Sequence, residues 1–344
     1  MVTAAQLPDW LRRLYPFSPQ SFVTPQGATM SFVDEGPGAG RISVFERPLK
    51  PTGETPVPRG MGVSPLSPGT RSLKNGDAPP RADEAVVMLH GNPTWSFFYR
   101  EVIQKLAPRV RCVAPDHIGM GLSDKPQDYA YTLASRIADI EALVASLKLR
   151  RVHLVVHDWG GAIGLGWAVK HPELVGRIVV LNTAAFRSPH IPARIALCKV
   201  WGLGTVLVRG LNGFAWPATW MAMNQRKLSS EEKRGYLYPY RTWADRVAVN
   251  AFVKDIPMGV KHPSFPTLAG IEAGLPRLSE KPMKIIWGGA DFCFNGQFLN
   301  RWRELFPKAG VVDLPNAGHY VLEDAKPEAR EQVSGFLLGG IGAR

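Results

Sequence analysis

Apolar positions along the chain fall into two alternating patterns from Ala85 onward. The runs "AVVMLHG", "VRCVAPD", "RVHLVVHD" and "RIVVLNT" are short, β-branched and leucine-rich, as strands buried on both faces should be. Between them, "TLASRIADIEALVASLKL" places Leu133, Ile137, Ile140, Val144 and Leu147 on one helical face, and a second helix is expected from Gly160. Much later "MKIIWGG" and "AGVVDLP" restore strand character, with "FLNRWRELF" as a helix between them and "EAREQVSGFLLG" as a closing helix. Repeated strand–helix units predict an α/β fold, a mostly parallel central sheet flanked by helices on both faces.

Two stretches break the rhythm. From Thr183 to about Glu280 strand patterning stops, and a segment rich in Trp, Met, Tyr and Arg reads as several short helices. Inserted after one core strand, residues 183–280 would form a helical cap over the strand C-termini of a core made from residues 1–182 and 281–344. Most of its aromatics are expected to pack the cap on the core, and a few to face a substrate. Residues 46–82, Glu46 to Ala82, are dense in Pro, Gly, Ser and Thr. They cannot bury enough apolar surface to fold alone and read as a long loop inserted in the core.

Composition narrows the class. A chain of 344 residues, 45% hydrophobic and 20% charged, suffices for one large core with an insertion. The N-terminus shows no signal-peptide h-region, and no apolar run is long enough to span a bilayer. The three cysteines, Cys112, Cys198 and Cys293, are scattered, which points to reduced thiols acting as small apolar fillers in a cytoplasmic protein. The net charge of +12 is spread along the chain with no nucleic-acid motif, so it reads as a solvated basic surface. Attraction to an acidic partner protein or an anionic membrane face is the second reading. No phosphate loop or metal-ligand cluster appears, so neither cofactor nor metal is expected.

The chemistry concentrates in "LVVHDWGGAIG", where Asp158 stands between a buried strand and a glycine pair that opens a helix. At such a turn the side chain is pushed out above the sheet, where a serine is the familiar occupant. Capping of the following helix is the bland alternative for Asp158, but it leaves Trp159-Gly160-Gly161 and a matching histidine unexplained.

"HGNPTWSFFYR", "PDHIGMGLSDKP", "VVHDWGGAIG" and "NAGHY" stand in the order found in α/β-hydrolases, and the chain resembles the haloalkane dehalogenase family from Phe22 onward, apart from the Pro-rich insert. That resemblance maps a nucleophile onto Asp158, a triad acid onto Asp291 and a base onto His319. It also implies that Asn92 and Trp159 grip a leaving halide or carboxylate, while their backbone N–H groups stabilise an oxyanion. "LNTAAF", "WADRVAVNAFVKDIP", "DFCFNGQFLNRWRELFP" and "GHYVLEDA" are similar to the third dehalogenase subgroup, especially to the β-lactone decarboxylases of bacterial long-chain olefin biosynthesis. Asn182 occupies the strand end where another subgroup carries a glutamate, which leaves Asp291 as the acid.

The implied reaction turns cis-3,4-dialkyl β-lactones (oxetan-2-ones) into cis-alkenes and carbon dioxide. It consumes no water, so His319 would tune the Asp158 charge or hydrolyse stalled esters. The alternatives are a haloalkane dehalogenase, an epoxide hydrolase using Tyr236, Tyr238 or Tyr240, and an inactive scaffold. His90 and Asp116 are expected to brace loops, His157 to point away from the nucleophile, and His153, His171, His190 and His262 to belong to no site. The expected partner is an apolar small molecule; a biosynthetic multienzyme complex and a homo-oligomer stay open.

Overall fold

A computed structural model describes residues 7–40 and 82–341. Eight strands form one sheet: β1 (Gln20–Val23), β2 (Thr29–Glu35), β3 (Glu84–Leu89), β4 (Arg111–Pro115), β5 (Arg151–Asp158), β6 (Val175–Thr183), β7 (Met283–Gly288) and β8 (Gly310–Leu314). Their order across the sheet is β1-β2-β4-β3-β5-β6-β7-β8. β1 and β2 are antiparallel, as are β2 and β4, and every other neighbouring pair is parallel.

Two apolar layers sandwich the sheet, and strand alternation sorts residues between them. Val87, Leu89, Leu154 and Val156 face the layer formed by the helices Leu133–Ser146, Trp159–Ala168 and Gly296–Leu305. Val86, Met88 and Val155 face the layer formed by Arg100–Leu106 and Glu328–Leu338. Burial on both sides is why these strands read as continuous apolar runs. The hairpin β1–β2 was invisible in that pattern: β1 has four residues, none of them fully buried.

Between β6 and β7 the chain makes a series of short helices from Ala193 to Leu278. The inserted stretch 46–82 lies, except for Ala82, outside the described residues. Its two flanks nonetheless meet. A Cβ built on Gly38 would come within 2.6 Å of Ala82 Cα, so only glycine fits there. Ala82 is held by its carbonyl, which accepts from Arg111 at 2.8 Å, while Arg111 forks onto Asp34 at 2.7 and 2.8 Å.

Chain order reverses direction around β3, which has β4 on one side and β5 on the other. In a parallel sheet such a switch point opens a crevice at the carboxyl ends of the strands. The turn after β3 and the turn after β5 meet there.

Candidate active site

Asp158 ends β5 at φ 51° and ψ −126°, a conformation that L-residues avoid, and the helix Trp159–Ala168 starts immediately after it. Close packing makes this sharp turn possible. A Cβ on Gly160 would meet the Leu89 carbonyl oxygen at 1.9 Å, and one on Gly91 would meet Asp158 Oδ1 at 2.0 Å. The Thr183 hydroxyl at the end of β6 donates to the Asp158 carbonyl and pins the turn from the other side. The Asp158 side chain does not cap the helix in the N-cap manner. Its Oδ1 accepts the backbone N–H of Asn92 at 2.6 Å, and the Trp159 N–H also donates to the carboxylate.

His319 Nε2 lies 3.8 Å from Asp158 Oδ2. Its Nδ1–H donates to Asp291 Oδ2 at 2.7 Å, which leaves Nε2 facing Asp158. Asp291 is locked in turn: Oδ1 accepts the Cys293 N–H at 2.7 Å, and Oδ2 accepts the Asn182 amide at 3.0 Å. Asn182 also takes the Gly288 N–H at 2.8 Å and donates to the Gly288 carbonyl at 2.9 Å, which joins β6 to the end of β7.

His157 does point away from Asp158, yet it is not outside the site. Its Nε2–H donates to the His319 carbonyl at 2.9 Å, and its ring packs 4.5 Å from that of His319 and 4.4 Å from that of Phe98. His157 and Asn182 therefore steady the histidine and the second carboxylate. Neither role has a local signal in the sequence, because the contacts span 106 positions for Asn182 and 162 for His157.

Electrostatics follow from burial. Burial pushes the Asp158 carboxyl up, and the nearby Asp291 charge adds to this; His319 and the two backbone N–H groups pull it down, and the net shift is upward. Burial pulls the His319 imidazole down, but the charge and hydrogen bond of Asp291, with Asp158 behind them, outweigh it, and its pKa is raised. Burial holds His90 down to about 4, so it is neutral near pH 7. His90 and Asp116 brace loops as expected: His90 Nε2 accepts the His117 N–H, and Asp116 accepts the N–H groups of Ser96 and Leu122.

Asp158, His319, Asn92 and Trp159 all border one cavity of about 440 Å³. Most of its remaining wall is apolar, with Phe186, Ile195, Phe214, Met221, Leu268 and Phe294, while Ser188, His190 and Arg194 add polar groups. One N–H of the Asn92 amide donates to the Val249 carbonyl at 3.0 Å, which orients the group and leaves the other N–H unused. The Trp159 indole N–H makes no hydrogen bond to protein among the described residues. Two free donors thus border the same apolar space as the carboxylate.

Two expectations need correction. Cys198 and Cys293 are not mere fillers, since both line the cavity, and Cys293 also orders Asp291. His190 belongs to the cavity wall as well. The low weight of an epoxide hydrolase agrees with the structure: Tyr236, Tyr238 and Tyr240 do not line the cavity, and the Tyr236 hydroxyl donates to Glu323 and that of Tyr240 to the Thr94 carbonyl.

A carboxylate on a strand–helix elbow, a histidine and a second carboxylate, all at the carboxyl edge of this sheet, are the features of an α/β-hydrolase site. Residues 84–204 match the model of the alpha/beta hydrolase fold. A cis-3-alkyl-4-alkyloxetan-2-one decarboxylase from Shewanella oneidensis is 44% identical over 260 residues, 74% of this chain and 82% of that protein. Haloalkane dehalogenase 2 from Mycobacterium bovis is 33% identical over 256 residues, 74% of this chain and 86% of that protein. A crystal structure of a haloalkane dehalogenase from Bradyrhizobium elkani superposes with a TM-score of 0.73 at 23% identity, over 95% of this chain and 100% of that one, a likeness of fold. The chain belongs to the haloalkane dehalogenase family of α/β-hydrolases, in the company of the oxetan-2-one decarboxylases. Among the described residues no helix is long and apolar enough to cross a membrane.

Proposed function

We propose that this enzyme decarboxylates cis-3,4-dialkyl β-lactones to cis-alkenes, with Asp158 as nucleophile. One observation carries the reading: a carboxylate, not a hydroxyl, stands at the elbow between His319 and two idle N–H donors, facing an apolar cavity. Asp158 Oδ attacks the sp3 ring carbon that bears the ring oxygen, not the carbonyl carbon; its carbon–oxygen bond breaks with inversion, and the electron pair leaves on the oxygen of a free carboxylate. The amide of Asn92 and the indole of Trp159 receive this anion. The bond from the neighbouring carbon to the carboxylate then breaks. Its electron pair forms the alkene, the ester bond to Asp158 breaks, and carbon dioxide departs. Inversion followed by anti elimination is net syn, so a cis lactone gives a cis alkene. A serine in place of Asp158 would form an ether, a poor leaving group. Similarity to the Shewanella decarboxylase supports this substrate class.

The second reading, favoured by the similarity to the Mycobacterium dehalogenase, is halide displacement followed by hydrolysis. There Asp158 forms an alkyl ester, and His319, oriented by Asp291, takes a proton from the water that attacks the ester carbonyl. The N–H groups of Asn92 and Trp159, already on the carboxylate, then face the developing oxyanion.

The same proposal takes residues 183–280 as a cap over the core formed by 1–182 and 281–344, with 46–82 inserted in that core, and sets the reaction in the cytoplasm on the route to long-chain olefins. Membership of a multienzyme complex and self-association remain compatible with it.

The test is parallel incubation with a synthetic cis-β-lactone and a bromoalkane, reading alkene and bromide. Alkene from the lactone is the expected result. Bromide release with the lactone untouched would replace this proposal with the second reading. The His319→Ala variant separates the two chemistries further. With a bromoalkane it should trap a covalent ester visible by intact-protein mass spectrometry, while with the lactone it should continue to turn over, more slowly, without a long-lived adduct.

A further inference from the structure

The segment between β6 and β7 exposes an unusual amount of apolar surface. Trp201 is 93% exposed, Val260 75% and Leu211 69%, and Leu203, Val206 and Trp216 are about half exposed or more. The short segments that carry these side chains line the cavity with their other faces: Ile195 and Cys198 before Trp201, Leu207 before Leu211, Pro217 after Trp216. Leu197 and Met258 do both, bordering the cavity while remaining exposed, so the apolar surface runs to the cavity mouth. Lys199 Nζ ties the two lips together, donating to the carbonyls of Val253, Lys254 and Ile256 at 2.8 to 3.2 Å.

Cations outnumber carboxylates around this surface: Asp255 is buried beside Arg136, and Glu272 is paired with Arg187. No Asp or Glu occurs from Thr183 to Ser230. Arg194, which borders the cavity, has no carboxylate partner among the described residues, and neither do Lys199, Arg209, Lys254 and Lys261. Contiguous exposed apolar surface marks a contact with protein or membrane. Tryptophan among aliphatic side chains, ringed by unpaired cations, matches an anionic lipid interface.

We infer that this face seats the enzyme on an anionic lipid bilayer, so that its apolar substrate passes from the lipid directly into the cavity. A bilayer fits better than a protein partner because the patch reaches the cavity at Leu197 and Met258, and a protein seated there would obstruct the entrance unless it supplied a channel. The inference goes beyond the proposed reaction and rests only on the cavity taking an apolar molecule, whichever bond is then broken.

The experiment is co-sedimentation of the full-length protein with vesicles of phosphatidylglycerol and phosphatidylcholine, against phosphatidylcholine alone, at low and high salt. Binding to the anionic vesicles, weakened by salt, is expected. The triple variant Trp201→Ser, Leu211→Ser, Val260→Ser alters exposed positions that do not line the cavity. It should partition roughly tenfold more weakly and turn over a short, water-soluble substrate at the wild-type rate. Wild-type protein left in the supernatant with anionic vesicles would overturn the inference, and so would undiminished binding by the variant. A concentration-dependent dimer that the variant abolishes, without lipid binding, would reassign the face to self-association. Lipid binding by a protein that turns over neither lactone nor bromoalkane would sink the proposed function and leave this inference standing.

Discussion

Asp158 combines two unfavourable features, a left-handed backbone and a carboxylate whose charged form burial disfavours. Strain of this kind costs about 1–3 kcal/mol and is maintained by surrounding structure, here the Thr183 hydroxyl and the glycines at 91 and 160. Because its pKa is raised in the folded state, the charged form of Asp158 works against folding at neutral pH, and that cost vanishes as pH falls through the raised value. Asp158→Asn keeps an acceptor for both backbone N–H groups, tolerates positive φ and removes the charge. It should melt at a higher temperature than the wild type at pH 7, with the gap closing in acid, and show no turnover; an unchanged or lower Tm at pH 7 would contradict this account. In the wild type, the rate of ring opening should fall on the acid side through a pKa above the ordinary carboxylate value, because a protonated Asp158 cannot attack. Bromoalkane hydrolysis additionally needs neutral His319, whose pKa is itself raised. A pH–rate profile for each substrate should therefore show hydrolysis lost at higher pH than alkene formation. Asp158, Asp291, His319, Asn92 and Trp159 were legible because strand ends place them and family order labels them. His157 and Asn182 were not, since each acts through a neighbour on a distant strand or loop.

At the scale of elements, the helices between β6 and β7 pack into both apolar layers, through Val249 and Phe252 on one side and Met223 and Leu228 on the other, and buried carboxylates fasten them further. Glu323 accepts hydrogen bonds from Arg100, Arg330 and Tyr236 and pairs with Lys326. Next to it, Asp324 accepts the N–H groups of Asn224, Gln225 and Arg226 at 2.8 to 3.1 Å, and that of Gly318 at 2.7 Å. One short helix, Val321–Asp324, thus links the loop carrying His319 to the intervening helices. Three carboxylates, Glu101, Glu232 and Glu323, converge here, and the cations among them are the protein's own Arg100, Arg226, Lys326 and Arg330. Glu323→Ala leaves Arg100 buried without its main counter-charge and should cost about 3–5 kcal/mol in denaturant unfolding. Burial pushes the Glu323 carboxyl up, but Arg100 and Lys326 pull it below its ordinary value. Its contribution is therefore present above the unfolded pKa and lost as pH falls through the folded one, so the variant and wild type should converge in stability in strong acid. None of this network could be read from "GHYVLEDA", where Glu and Asp look like ordinary helix-surface residues.

For the molecule as a whole, the doubly buried strands and the break after β6 were readable because burial on two faces leaves an unmistakable apolar run. The edge hairpin was not, since β1 is short and half exposed. Residues 46–82 were recognisable only as a stretch unable to fold alone. Gly38 lies against Ala82, so removing Pro48 to Pro80 and closing the gap with a short Gly-Ser bridge should leave folding and turnover unchanged. Loss of soluble protein, or of activity, from this deletion would show that the excised residues are structurally required. The meeting of Gly38 and Ala82 has a practical counterpart. Two stretches of chain a few ångströms apart, clamped by Arg111 and Asp34 where β2 ends and β4 begins, form a natural splice point. An autonomous module whose own termini adjoin, such as a fluorescent reporter or a tether to a solid support, could be grafted there with its orientation set by the sheet.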